Sequence, residues 1–364
     1  MKLQIIAPLP SIAKRTRLTK LVESGGSFFS TIRFYGWQRL NEEDVDLNSQ
    51  IILKGGGYSS KKARLMYIFW IFKVFFLALR FKKDDIVWAL GFESAFPSVV
   101  ASKIKGFKVV YDDADRFSSL FNFPGFIKKI LVKLEIYTSF NSFKHIIPGV
   151  ERYEFKSPKF FILKNTPTSE DIVKAEKFEL DQKVKDSLHA FPLIIYINGW
   201  LGEGRGLRII HDIAKELPEI GFLLAGRVDS KYAEQMLKFN NVIYLGELAQ
   251  YKALAYYKLC HFVFTYYDPK VPINRLAEAN KWGDALQYST PVIVNSEVIT
   301  AQYLRDANAA ISTNYEDIEG LIEQLKIVGN SSEKYQELVN SIKLLQKKFP
   351  TFDLQLKKLF LEME

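Results

Sequence analysis

Short β-branched or aromatic runs recur along this chain, separated by segments long enough to form helices and periodic enough to do so. In the first half the runs fall at residues 3–7, 86–90, 108–111, 145–147 and 160–163. In the second half they fall at 193–197, 222–225, 242–245, 262–265, 291–294 and 309–312. Strands that read as continuous apolar runs, joined by helix-length connections, belong to parallel sheets buried on both faces. Two such series predict an α/β protein of two doubly wound, Rossmann-like domains facing a cleft. The length agrees, since 364 residues at about 150 per domain makes two. The expected boundaries are residues 1–165, residues 166–345 and a helical tail, 346–364, that could pack back on the first domain. The polar stretch 166–190 reads as linker plus one surface helix, and the charged tail 332–364 is broken only near Pro350. A ligand is expected at the carboxyl ends of the strands, between the domains. No repeat of 20–50 residues is present, which argues against solenoids and propellers.

Composition removes other classes. With 48% hydrophobic residues, 25% charged residues and 13 prolines, the chain is neither disordered nor collagen-like. Its one cysteine, Cys260, cannot close an internal disulfide, and no Cys/His cluster has metal-ligand spacing. The chain reaches Pro8 without the apolar run of a signal peptide, so a cytoplasmic location is expected. The net charge of +9 is uneven. Residues 1–165 carry 27 Lys+Arg against 14 Asp+Glu, a net of +13, and residues 166–364 carry 23 against 27, a net of −4. A basic half suggests an anionic partner: nucleic acid, a membrane surface or a phosphorylated ligand.

After Gly55-Gly56-Gly57 comes KKARLMYIFWIFKVFFLALRFKK, whose apolar part, 65–79, holds Lys73 at its middle. A membrane-spanning helix wants about 20 apolar residues with few charges, so this run is not expected to span. It is either a buried helix of the first domain or a helix lying at a membrane interface, aromatics in the headgroup boundary and cations against anionic lipid. Residues 117–144 repeat the recipe, with Phe121, Phe123, Phe126, Ile127, Ile130 and Leu131 among Lys128, Lys129 and Lys133.

Two segments could carry chemistry. The strand LIIYIN runs into Gly199-Trp200-Leu201-Gly202-Glu203-Gly204-Arg205-Gly206 and then a helix. Glycines let the backbone approach a ligand, and the helix start offers N–H groups to a phosphate that Arg205 could bind bidentately. The alternative is a strand–helix turn with a solvated arginine. Downstream, Asn280-Lys281-Trp282-Gly283-Asp284 places Lys281 and Asp284 on one helix face. An ammonium there suits a phosphate and a carboxylate suits sugar hydroxyls; an ordinary surface ion pair is the other reading.

These residues carry a resemblance. The second half is similar to the nucleotide-sugar domain of GT-B glycosyltransferases, in particular the retaining glycosyltransferase family 4 of bacterial surface-polysaccharide assembly. Gly199 with Arg205-Gly206 six residues on, FLLAG ending at Gly226, NVIYLGEL, Asn280-Lys281 with Asp284, and Thr290-Pro291-Val292-Ile293 follow its pattern. In the first half, the opening strand ending in proline, Gly36-Trp37-x-Arg39, and Val110-Tyr111-Asp112-Asp113-Ala114-Asp115 fit in outline. The resemblance implies that Arg205 and Lys281 hold the donor diphosphate and Asp284 the donor ribose, with Asn280, Gly199, Gly206 and Gly226 shaping the site. It places the turn Gly246-Glu247-Leu248 beside the base. Asp112 or Asp115 would face the reacting sugar or the acceptor, unless they form a solvated acidic turn.

Three departures stand out. The family's arginine after the first glycine is Trp200, leaving the cation clamp incomplete unless Lys281 substitutes. The position eight before Asp284 is Leu276, and Glu278 is the nearest acid to take the catalytic carboxylate's place. The first loop has Ala13-Lys14 with Arg15 where the family has a glycine pair, so Lys14 and Arg15 either bind an acceptor phosphate or start a basic helix.

The resulting expectation is a metal-independent, cofactor-free hexosyltransferase using a nucleotide-diphosphate sugar. Its acceptor would be a lipid-linked saccharide, at an anionic surface on the cytoplasmic face of the membrane. Rival readings are a nucleotide-sugar 2-epimerase of the same fold and a basic nucleic-acid-binding protein. The latter lacks any helix-turn-helix, RRM or zinc pattern, so no nucleic-acid partner is expected.

Overall fold

The structure, a computed structural model, describes residues 1–47, 49–58, 61–113, 116–120 and 123–363. The chain divides into two compact units, residues 1–163 with 356–364 and residues 164–355. Each is built on one all-parallel sheet, as the buried apolar runs predict.

In the first unit the strands are β1 (Lys2–Ile6), β2 (Thr31–Gln38), β3 (Ser49–Lys54), β4 (Asp85–Leu90), β5 (Lys108–Asp112), β6 (Lys144–Ile147) and β7 (Phe160–Ile162), in the order β3-β2-β1-β4-β5-β6-β7. The second has β8 (Leu193–Asn198), β10 (Ile220–Ala225), β12 (Val242–Tyr244), β13 (Phe262–Phe264), β14 (Val292–Asn295) and β15 (Ala310–Thr313), in the order β12-β10-β8-β13-β14-β15. A two-residue parallel pair, β9 (Leu201–Gly202) and β11 (Val228–Asp229), extends beyond β8 and β10. Winding outward both ways from β1 and from β8 is the doubly wound arrangement, with switch points at β1/β4 and β8/β13. β4, β8 and β10 are buried along their whole length, which is why their sequences are apolar without alternation.

Besides the short β9–β11 pair, two strands were not expected from the sequence. β3 is the sheet edge and only partly buried, and β2 carries Arg33 and Gly36 inside its run, so neither reads as a continuous apolar stretch. Gly36 has a local reason: a Cβ there would lie 2.5 Å from the Leu9 carbonyl oxygen. The 166–190 stretch also departs from expectation, forming two helices, Ser169–Lys177 and Gln182–Leu188. Thr168 and Asp171 close a capping box at the first, satisfying N–H groups that the helix start leaves orphaned. Helix Ser332–Lys348 belongs to the second unit. Helix Phe352–Leu361 returns the chain to the first, where Phe360 meets Phe28 and Phe29 with ring centroids 5.0 Å apart.

The apolar segment forms helix Lys61–Ala78, and each of its two readings holds for one face. Trp70, Val74 and Ala78, at i, i+4 and i+8, are buried against Trp37, Val87 and helix Phe92–Lys105. The Trp70 indole donates to Ser94 Oγ at 3.1 Å. The remaining surface keeps Leu65, Ile68, Phe69, Phe72 and Phe76 exposed, Phe69 and Phe72 at 58% each. Helix Gly125–Asn141 packs Leu131 and Leu134 on the same core and exposes Phe126, Ile130, Tyr137 and Phe140 beside Lys128, Lys129 and Lys133. Phe121 lies outside the described residues. No described helix is long and apolar enough to cross a membrane.

Candidate functional site

The second unit's switch point is built by glycines. Gly199 leaves β8 at φ +95°, and Gly226 leaves β10 at φ +131°. A Cβ on Gly226 would sit 1.8 Å from the Gly199 carbonyl oxygen, so these two turns touch backbone to backbone and tolerate no side chain. Gly206, at φ +71°, joins the 3-10 turn Glu203–Arg205 to helix Leu207–Glu216, and its Cβ would lie 2.5 Å from Tyr266 Cβ. That close packing brings Arg205 to the end of β13. Its guanidinium lies 4.3 Å from the ring centre of Tyr267 and 5.7 Å from that of Trp200.

Helix Asn280–Tyr288 supplies the second cation. Lys281 Nζ lies 3.2 Å from the point a Cβ on Gly199 would occupy. Burial, and then the charge of Arg205, push its amine down to about 8 against the opposing pull of Asp284. Neither Arg205 nor Lys281 has a hydrogen-bond or ion-pair partner among the described residues. Two neighbouring cations, one desolvated, repel each other and gain strongly from an anion. Lys281 thus reaches the Gly199 turn, and Arg205 lies over the neighbouring Trp200 ring.

The other expected residues surround this pair. Asp284 is partly exposed one helical step from Lys281. Asn280 is exposed, and its Oδ1 accepts from Asn165 Nδ2 at 2.8 Å. Leu248 is partly buried just after Gly246, whose carbonyl accepts the Gly226 N–H at 2.8 Å. Trp200 is 46% exposed yet held in place: its indole donates to Asp229 Oδ2 at 2.6 Å, and its ring fills the space a Gly202 side chain would need.

Glu278 is paired: its Oε1 accepts from Lys164 Nζ at 2.8 Å, with both side chains largely buried. Tyr267 escaped the sequence reading. Asn295 holds its backbone on both sides, Tyr267 N donating to Oδ1 at 2.9 Å and Nδ2 donating to Tyr267 O at 3.2 Å.

In the first unit, Asp112 is fully buried, so it does not sit in a solvated acidic turn. Oδ2 accepts from the Trp88 indole at 2.9 Å and Oδ1 pairs with Arg17 at 3.0 Å. Its neighbour Asp113 is equally buried. Burial alone would raise its pKa, but His145 and the Tyr153 hydroxyl, donating at 2.8 Å, hold it below the usual carboxylate range. Asp115 lies outside the described residues. Lys14 and Arg15 are exposed, Lys14 closing the 3-10 turn that precedes helix Thr16–Gly25. Among the described residues no three His, Cys, Asp or Glu side chains are grouped to hold a metal ion.

The sequence matches no protein-family model and no curated protein. Solved structures do match over the whole chain. Anabaena Alr3699/HepE, in complex with UDP, aligns at TM-score 0.67 and 11% identity over 99% of this chain and 98% of its own. Sucrose-phosphate synthase from Thermosynechococcus elongatus aligns at 0.65 and 11% over 100% and 99%. A Listeria monocytogenes protein bearing the name UDP-N-acetylglucosamine 2-epimerase aligns at 0.58 and 14% over 93% and 91%. What this chain shares with them is the fold: two doubly wound, parallel-sheet α/β domains of the GT-B type.

Proposed function

We propose that the chain is a hexosyltransferase, moving a sugar from a nucleotide-diphosphate donor to a lipid-linked saccharide at an anionic membrane surface. The observation that carries this reading is the Arg205–Lys281 pair, two cations with no ion-pair partner among the described residues at a topological switch point. A diphosphate fits them: Arg205 can grip two oxygens at once and Lys281 a third. As the sugar–phosphate bond breaks, negative charge grows on the departing diphosphate, and cations already in place stabilise it without reorganising. Asp284, on the Lys281 helix, is the group we assign to the donor's ribose hydroxyls, and the Gly246–Leu248 turn to its base. Retention of configuration is the outcome implied by the family resemblance. Uridine nucleotides come first as donors because Alr3699/HepE was solved with UDP.

The acceptor side rests on the first unit's surface. Helices Lys61–Ala78 and Gly125–Asn141 expose phenylalanines beside Arg64, Lys73, Lys128, Lys129 and Lys133, the composition of an interfacial helix. A lipid-linked acceptor at such a surface would account for both halves of the charge distribution, with the protein peripheral on the cytoplasmic face.

A thermal-shift panel of UDP, GDP, dTDP and their sugars tests the donor site. At least one should stabilise the protein and fail to stabilise Arg205→Ala; silence from all of them sinks the reading. Product from UDP-N-acetylglucosamine alone, without acceptor, would favour the 2-epimerase instead.

A further inference from the structure

Of the five tryptophans, Trp37, Trp70, Trp88 and Trp282 are fully buried, whereas Trp200 is 46% exposed. Exposure alone is ordinary for an apolar side chain. What sets Trp200 apart is that its exposed ring is also fixed. Its indole donates to Asp229 Oδ2 at 2.6 Å, and that same oxygen meets Arg227 at 3.1 Å. The β9–β11 pair carries both partners: Asp229 stands opposite Gly202, and Leu201 N donates to Arg227 O at 2.9 Å. Three successive ring atoms, Cε2, Cζ2 and Cη2, would lie 2.4–2.9 Å from a Cβ on Gly202. Near-equal distances to neighbouring ring atoms put the Gly202 backbone against one face of the ring, a position that only glycine leaves open.

The ring borders the anion site. Trp200 directly follows Gly199, and Lys281 Nζ lies 3.2 Å from the point a Gly199 Cβ would occupy. The Arg205 guanidinium sits close on Tyr267, 4.3 Å from its ring centre, and farther out over Trp200, at 5.7 Å. A hexose ring carries its hydroxyls at the rim and C–H groups on its faces. A flat aromatic surface takes such a C–H face and leaves the hydroxyls to polar partners. A ring already immobilised does so without a further cost in rotamer freedom.

We infer that Trp200 is the platform on which the hexose of the nucleotide-sugar donor stacks, a specificity-determining residue beside the diphosphate site. This rests on the donor-site reading, in which Asp284 and the Gly246–Leu248 turn take the ribose and base and leave the hexose without a surface. The Trp200 ring should accordingly discriminate a nucleotide hexose from the bare nucleoside diphosphate.

The test is titration of the full-length protein with UDP and with UDP-glucose, UDP-galactose and UDP-N-acetylglucosamine. GDP with GDP-mannose, or dTDP with dTDP-glucose, takes their place if it stabilises the parent better. Trp200→Ala should weaken the best-bound nucleotide hexose about tenfold and leave the nucleoside diphosphate within about twofold. Trp200→Phe, which keeps an aromatic face, should recover most of that loss. Equal losses for the diphosphate and its hexose, or no loss for either, would overturn the assignment. So would a parent that binds a nucleoside diphosphate and none of its hexoses. If Trp200→Ala does not fold, acrylamide quenching of the parent's tryptophan fluorescence decides. The nucleotide hexose should shield the exposed indole more than the diphosphate does, and equal shielding contradicts the inference. A parent that binds none of these nucleotides takes down the donor site itself, a distinct outcome from a Trp200→Ala that fails to discriminate.

Discussion

The two units share one construction, a parallel sheet wound outward from its first strand, yet they handle positive charge in opposite ways. The first half of the chain has a surplus of +13 and spends it on the surface, its lysines alternating with exposed phenylalanines on two helices. The second half has a deficit of −4 and still holds Arg205 and Lys281 with no hydrogen-bonded or ion-paired acid among the described residues. Net charge therefore says little about where a phosphate binds. A few cations held in place by glycine turns and aromatic rings define a site, and many cations on helix surfaces define a face.

The sharpest break between the units should come from glycine. Gly226→Ala drives a methyl into the Gly199 carbonyl at a positive φ, a cost of about 3–4 kcal/mol or more. Thermal unfolding should show a fall of roughly 10 °C or loss of the second unit's transition. Gly125→Ala, with nothing within 4 Å at the start of a first-unit helix, should leave the melting temperature unchanged or slightly raised.

Ligand binding should separate the units next. Arg205→Ala removes about two charge-assisted hydrogen bonds, on the order of 3 kcal/mol or 100-fold in UDP affinity, and should not change partition onto anionic vesicles. Phe69→Ser with Phe72→Ser should do the reverse, lowering vesicle partition about 10- to 100-fold with UDP affinity intact. Vesicle binding should also weaken as salt rises, and persistence at high salt would show that apolar insertion acts without the lysines.

The smallest effect is a pH dependence confined to the second unit. Lys281 titrates at about 8 in the unliganded protein, and a phosphate prefers its charged form. UDP affinity should accordingly be level below pH 7 and fall about tenfold by pH 9. Lys281→Met should bind weakly with no such slope. A parent protein whose affinity ignores pH over this window would place the amine away from the phosphates.

Much of the fold was legible in the sequence because fully buried parallel strands are written as unbroken apolar runs. β2 and β3 were not, since a half-exposed edge and its neighbour tolerate arginine, glycine and glutamine. At the site, Arg205 and Lys281 could be named because each follows a glycine turn or shares a helix face with an acid. Tyr267 and Lys164 could not. Lys164 and Glu278 are 114 positions apart, and nothing local marks a lysine that will be buried. Asp112 looked available for the same reason: its partner Arg17 comes from a distant helix, and only the folded chain brings them to 3.0 Å.

The central claim is that Arg205 and Lys281 together read a diphosphate. Calorimetric titration of the protein with UDP, UMP and uridine at pH 7 tests it most directly. One UDP should bind per chain, UMP more weakly and uridine not measurably, with the UDP heat lost in Arg205→Ala. Equal affinity for uridine and UDP, or UDP binding unchanged in Arg205→Ala, would contradict the account.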